Sequence, residues 1–208
     1  MPTDSRNIVK HFEGKHVVIV HGYTASPSAN WFPWLSTVLR NNGARVDVPA
    51  LPTPQAPEPL GWATALKEVL PHADINTFLV GHSLGCVAML RHVLTLPMET
   101  RLGGLLLVSG FDRTLSTLPE LSAFTATQLP HAEIRKRILQ RTSIFSDNDA
   151  IVDPAASQRL AAALDTDVKV VAGGGHFLDR EGFTQFHEVY EALMDFVSIE
   201  ASKLPITR

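Results

Sequence analysis

One cysteine, Cys86, stands in a chain of 208 residues. Neither an intrachain disulfide nor a cysteine-based zinc cluster can therefore form. Charged residues are sparse at 19% and nearly balanced, with a net charge of −3 and a pI near 6.3. No basic cluster with interleaved aromatics occurs, which argues against nucleic acid and against an anionic membrane surface as partners. No uncharged apolar run approaches the roughly 18 residues that a membrane span needs. Residues 1–7 have no apolar segment after their charges, so no secretory signal is expected and the cytoplasm is the expected location. Hydrophobic residues make up 45% of the chain, an ordinary value for a soluble globular protein. A single domain over residues 1–208 is expected, with residues 1–14 as an N-terminal tail.

The patterning alternates strand with helix, which implies a parallel sheet covered on both faces. Apolar runs at 16–20, 45–48, 78–80, 105–108, 142–145 and 168–171 predict six parallel strands. The second is shorter and more polar than the first, as suits a strand near an edge. Helical spacing predicts helices over 31–41, 60–70, 86–90, 131–140, 154–164 and 181–200, with a short extra one near 118–124. Prolines at 49, 52, 54, 57 and 59 punctuate a stiff loop before the second of these. The interval 111–141 has no room for a large cap domain. Phe183, Phe186, Tyr190, Leu193 and Val197 form a three-four stripe best explained as core packing.

Gly81-His82-Ser83-Leu84-Gly85 is a G-x-S-x-G pentapeptide between an apolar strand and a helix. A serine at the apex of such a sharp strand-to-helix turn is the nucleophile elbow of α/β-hydrolases. The apex backbone is strained, and small flanking residues are needed where the segments press together. A serine hydroxyl requires a base, and the base requires an orienting carboxylate. On this fold they follow in the order Ser, Asp or Glu, His.

His176, in Gly173-Gly174-Gly175-His176-Phe177, follows the final strand and is the candidate base. His72, His92, His131 and His187 lie on helices or at their ends, where exposure is the simpler reading. His82 is expected to point away from the site. Three aspartates follow the fifth strand. Asp149, with Val152 available to anchor its loop, is preferred. Asp147 remains an alternative, and Asp153 before Pro154 reads as a helix N-cap.

The oxyanion of an acyl-transfer intermediate needs N–H donors. The Leu84 N–H, at a helix N-terminus, is one candidate, and the Tyr23 N–H in the loop after the first strand is the other. His21 and Gly22 are expected to support that loop. Phe111, Phe177 and Trp31 are candidate pocket residues, and Leu115, Leu118 and Leu121 could join them.

Together with Trp31-Phe32-Pro33-Trp34-Leu35 and Val108-Ser109-Gly110-Phe111, these motifs resemble the small serine hydrolases of the YdeN and retinoblastoma-binding-protein-9 type. The bacterial YdeN-like branch is the nearer, and the resemblance covers nearly the whole chain. It implies a compact α/β-hydrolase without a large lid and a triad of Ser83, Asp149 and His176, because Asp149 falls on the family's D-x-x-V pattern. No Leu-x-Cys-x-Glu sequence is present, so the resemblance carries no retinoblastoma-protein binding to this chain. The expected activity is cofactor-free and metal-free cleavage of a small carboxylic ester, thioester or amide through an acyl-enzyme, with short acyl chains preferred. Acyl transfer or perhydrolysis would use the same residues. The contrasting expectation is a protein-interaction module with incidental esterase activity, in which Trp31 and Trp34 form a partner surface.

Overall fold

The computed structural model of the chain describes residues 10–203. Its elements run β1 (His16–Val20), α1 (Phe32–Asn41), β2 (Arg45–Asp47), α2 (Pro59–Val69), β3 (Thr77–His82) and α3 (Leu84–Thr95). There follow β4 (Leu102–Val108), α4 (Ser122–Thr125), α5 (His131–Arg137), β5 (Ile138–Ser146), α6 (Pro154–Leu164), β6 (Asp167–Val171) and α7 (His187–Lys203). Short 3-10 turns cover Pro119–Leu121 and Asp179–Glu181.

The six strands form one parallel sheet in the order β2-β1-β3-β4-β5-β6. Side chains alternate across it, as the period of two demands. Val18, Val20, Leu79, Leu105 and Leu107 face α2, α3 and α6, whereas Val17, Ile19, Val80, Leu106 and Val108 face α1 and α7. Burial on both faces explains why the central strands read as unbroken apolar runs. Each large apolar side chain so covered contributes roughly 1.5–3 kcal/mol.

The N-terminal boundary is corrected by one residue in particular. Of the stretch 1–14 expected as a tail, residues 1–9 lie outside the described residues, but Phe12 is fully buried. Its amide donates to the Asn42 carbonyl at 3.0 Å, and its ring lies 6.2 Å from that of Tyr190. Between β4 and β5 there is a short excursion and no large cap domain among the described residues. The Arg91 side chain donates to the carbonyls of Phe124 and Thr127, holding the excursion against α3, and within the excursion His131 meets Asp112 at 2.6 Å.

The sheet order reverses between β1 and β3. From β1 the chain moves outward to β2, and from β3 it moves the opposite way to β4. The connections therefore diverge at the carboxyl ends of these two strands and leave a crevice, where ligands bind in open α/β sheets.

Candidate active site

Strand register delivers the motif residues to that crevice. Val20 pairs with Gly81, so His21 and Gly22 leave β1 beside His82 and Ser83. Val108 pairs with His82, and the Ser83 amide donates to the Val108 carbonyl at 2.9 Å. Asp149 and His176 lie shortly after the ends of β5 and β6. The ends of β1, β3, β4, β5 and β6 thus contribute to one place.

At Ser83 the backbone has φ 55° and ψ −124°, a conformation that costs a non-glycine residue about 1–3 kcal/mol. The surrounding packing holds it there, and two glycines make that packing possible. A Cβ at Gly85 would lie 2.3 Å from the Val20 carbonyl oxygen, and one at Gly22 would lie 2.9 Å from Ser83 Cβ. Helix α3 begins directly after the serine, so the Leu84 N–H belongs to the first turn, whose amides lack intrahelical acceptors. Among the described residues the Tyr23 N–H also has no acceptor.

His21 is buried and makes two bonds that fix its tautomer. Nε2 accepts the Leu51 N–H at 3.1 Å, which leaves Nδ1–H to donate to the Gly22 carbonyl at 2.9 Å. Burial lowers its pKa, with the Gly22 bond opposing. A neutral His21 thereby braces the loop that carries Tyr23.

The three aspartates separate by their partners. Asp149 Oδ2 meets His176 Nδ1 at 2.7 Å, and its Oδ1 accepts the amides of Ile151 and Val152, both at 2.9 Å. Burial pushes the Asp149 pKa upward, but the His176 contact and the two amides outweigh it and hold the carboxyl below its ordinary value. The ionised carboxylate accepts a hydrogen bond from Nδ1–H, which leaves Nε2 of His176 as the basic nitrogen. Asp147 instead accepts the Gly173 amide at 2.8 Å, and Asp153 caps α6 through the Ala155 amide at 2.8 Å.

Ser83 and His176 line one pocket of about 480 Å³. Among the described residues no hydrogen bond joins them. Such contacts are often long before substrate binds. Tyr23, Thr24, Ala25 and Asn30 line the pocket from the β1 loop, Thr117 and Leu118 from the excursion, and Ile151, Leu178 and Arg180 from the loops after β5 and β6.

The expected apolar walls are corrected. Phe111, Phe177 and Trp31 are fully buried and do not line the pocket; they belong to the two cores beneath it. Of the leucine set, only Leu118 reaches the pocket, while Leu115 and Leu121 are core. Aromatic content near the motifs signalled packing, because these rings close the sheet under the loops. Trp31, at 0% exposure, is unavailable as a partner surface, and the half-buried Trp34 packs edge-on against His187 at 4.9 Å.

His82 is corrected as well. Instead of leaving the site it is buried within it, its ring 4.8 Å from that of His176. Burial, reinforced by the neighbouring His176, pushes its pKa down to about 3, so it is neutral. Sequence reasoning missed Glu181, whose Oε2 accepts the amides of His176 and Leu178, each at 2.9 Å. The His82 bond leaves no local pattern to read, whereas Glu181 stands at the third position of the turn that Leu178 opens, a local capping position.

Cys86 is buried beside the elbow, with a thiol pKa raised by burial to about 12, and is inert as a nucleophile at neutral pH. No group of three or more His, Cys, Asp or Glu side chains able to hold a metal occurs among the described residues. No helix among them is long and apolar enough to cross a membrane.

Comparison with known proteins gives the family and the fold. The family model described as serine hydrolase matches residues 17–195. YdeN of Bacillus subtilis (strain 168), a hydrolase by name, is 40% identical over 186 residues, covering 89% of this chain and 98% of that protein. The crystal structure of the B. subtilis ydeN product superposes with a TM-score of 0.85, covering 88% of this chain and 99% of that one. A carboxylesterase structure from the thaumarchaeon Nitrososphaera gargenis shares the fold at a TM-score of 0.66 and 12% identity, covering 91% and 92% of the two chains.

Proposed function

The chain belongs to the serine hydrolase family, and from that premise we propose that it cleaves small carboxylic esters through an acyl-enzyme on Ser83. His176 acts as general base, Asp149 orients it, and the backbone amides of Leu84 and Tyr23 bind the oxyanion. The observation that carries this reading is the 2.7 Å contact between His176 Nδ1 and a buried, doubly amide-bonded Asp149, in the same pocket as a strained Ser83.

The chemistry follows from these positions. As substrate enters, Nε2 of His176 takes the Ser83 Oγ proton while Oγ attacks the carbonyl carbon. The imidazolium so formed is stabilised by the Asp149 carboxylate at Nδ1. The carbonyl oxygen becomes an oxyanion facing two N–H donors, each of which is typically worth roughly 2.7–4 kcal/mol in the transition state. His176 then returns its proton to the leaving alcohol, and water repeats the sequence on the acyl-enzyme. Thioesters and small amides present the same carbonyl to the same groups.

The pocket is open and no large cap covers it among the described residues, which favours short acyl groups. The test is hydrolysis of p-nitrophenyl acetate and butyrate by the full chain and by Ser83→Ala, Asp149→Asn and His176→Ala. Hydrolysis by the wild type with loss in all three variants supports the reading. Wild-type turnover by Ser83→Ala contradicts it.

A further inference from the structure

The peptide unit of His176 is held at both ends by side chains that the acyl-transfer scheme does not use. Its N–H donates to Glu181 Oε2 at 2.9 Å, an oxygen that also accepts the Leu178 amide. Its carbonyl meets His82 Nε2 at 2.9 Å. A carbonyl only accepts, so His82 carries its proton on Nε2. Its Nδ1 is buried and has no partner among the described residues, so this one bond is the polar connection of the ring.

The surroundings leave the ring little freedom. Trp31 and Phe32 stand edge-on to His82 with centroids 6.0 and 5.8 Å away. The next residue along the chain is Ser83. One hydrogen bond therefore joins the residue preceding the apex serine to the backbone of the histidine, across 94 positions of sequence. On the other side, Phe177 sits at φ 58°, and a Cβ at Gly175 would come 2.6 Å from Glu181 Oε1. A loop with this backbone would drift unless its ends were fixed.

We propose that His82 and Glu181 are positioning residues which clamp the His176 peptide and thereby set the approach of its imidazole to Ser83 Oγ. The proposal rests on the reading of His176 as the base. Glu181 fixes the loop from the solvent side, and His82 ties it to the elbow, so that nucleophile and base move as one unit. Burial keeps the ring neutral, and its Nε2–H tautomer makes the bond. Displacement of a reacting group by about 1 Å can cost on the order of 100-fold in rate, which gives the clamp its leverage.

The experiment is steady-state hydrolysis of p-nitrophenyl acetate by the full chain, with thermal melts alongside, for wild type, Glu181→Ala, His82→Phe and His82→Gln. Glu181 is exposed, so its removal leaves the core intact. Phenylalanine keeps the ring packing and removes the donor, whereas the glutamine amide can donate in its place. Glu181→Ala and His82→Phe are expected to lower kcat about 10- to 100-fold, with KM within about twofold, and His82→Gln to recover most of the loss. Should His82→Phe not fold, Glu181→Ala and His82→Gln decide the matter. Wild-type kcat in Glu181→Ala overturns the clamp, as does a loss confined to KM or a His82→Gln enzyme no faster than His82→Phe. A wild type that neither hydrolyses the ester nor reacts at Ser83 with a fluorophosphonate overturns the underlying reading instead.

Discussion

Within seven residues the chain carries Asp147, Asp149 and Asp153, three identical carboxylates with three different sets of partners. Asp149→Asn keeps the shape but reverses the donor at His176 Nδ1, so kcat is expected to fall by about 10⁴-fold, as when a triad loses its orienting carboxylate. Asp153→Ala removes only a cap and is expected to cost about 1 kcal/mol, or roughly 2–4 °C in Tm, with activity retained. Steady-state kinetics and a thermal melt on the two variants separate these outcomes. Asp153 was legible because a cap and its proline are neighbours in sequence. The preference for Asp149 over Asp147 came from Val152 and from family resemblance, and its contact with His176 spans 27 positions. His82 was not legible, because a side chain bonded to a distant backbone leaves no periodic trace. Phe111, Phe177 and Trp31 show the converse, since an aromatic beside a motif reads the same whether it lines a pocket or underlies it.

At the scale of elements, the turn from β3 into α3 depends on what is missing from two residues. Gly85→Ala would drive a methyl group into the backbone oxygens of Val20 and His21, at 2.3 and 2.6 Å, which cannot move without breaking β1. The variant is expected to lose about 3 kcal/mol or more, since overpacking against rigid backbone exceeds the usual 1–3 kcal/mol, and denaturant unfolding measures it. The six strands were legible because buried parallel strands are unbroken apolar runs, and the helices because their apolar stripes recur every three to four residues. Boundaries were less so. Strand β5 begins at Ile138, four residues before the apolar run, because Arg141 bonds the Leu164 and Ile138 carbonyls and Gln140 bonds that of Phe196. Their polarity hid a strand whose side chains are used for lateral bonding. Helix α7 starts at His187 and not at 181, because Gly182 at φ 93° ends the preceding turn and the Glu181 carboxylate is engaged with the histidine loop.

For the whole molecule, the reversal of strand order between β1 and β3 places the crevice, and the short excursion after β4 leaves it open. Acetate and butyrate esters are therefore expected to be turned over faster than palmitate, and a chain-length series that peaks at palmitate would contradict an open, shallow site. Stability should also depend on pH in a defined direction. His21, His82 and His92 are each lowered by burial from the ordinary 6.5, His82 to about 3. Below 6.5 the unfolded chain takes up protons on them more readily than the fold does, so their contribution is complete above 6.5 and declines as pH falls below it, for His82 down to about 3. For His82 the slope is on the order of 1 kcal/mol per pH unit within that window. Urea unfolding at pH 7.5 and pH 5 should show the decline, and His82→Phe should lessen it. The central claim is that Ser83 is a nucleophile driven by His176. Its most direct measurement is the rate at which a fluorophosphonate adds to the intact protein, with the adduct located by peptide mass spectrometry. The account predicts one adduct, on the peptide containing Ser83, formed at least about 100-fold faster than in His176→Ala. Labelling elsewhere, or labelling of Ser83 at the same rate without His176, would contradict it.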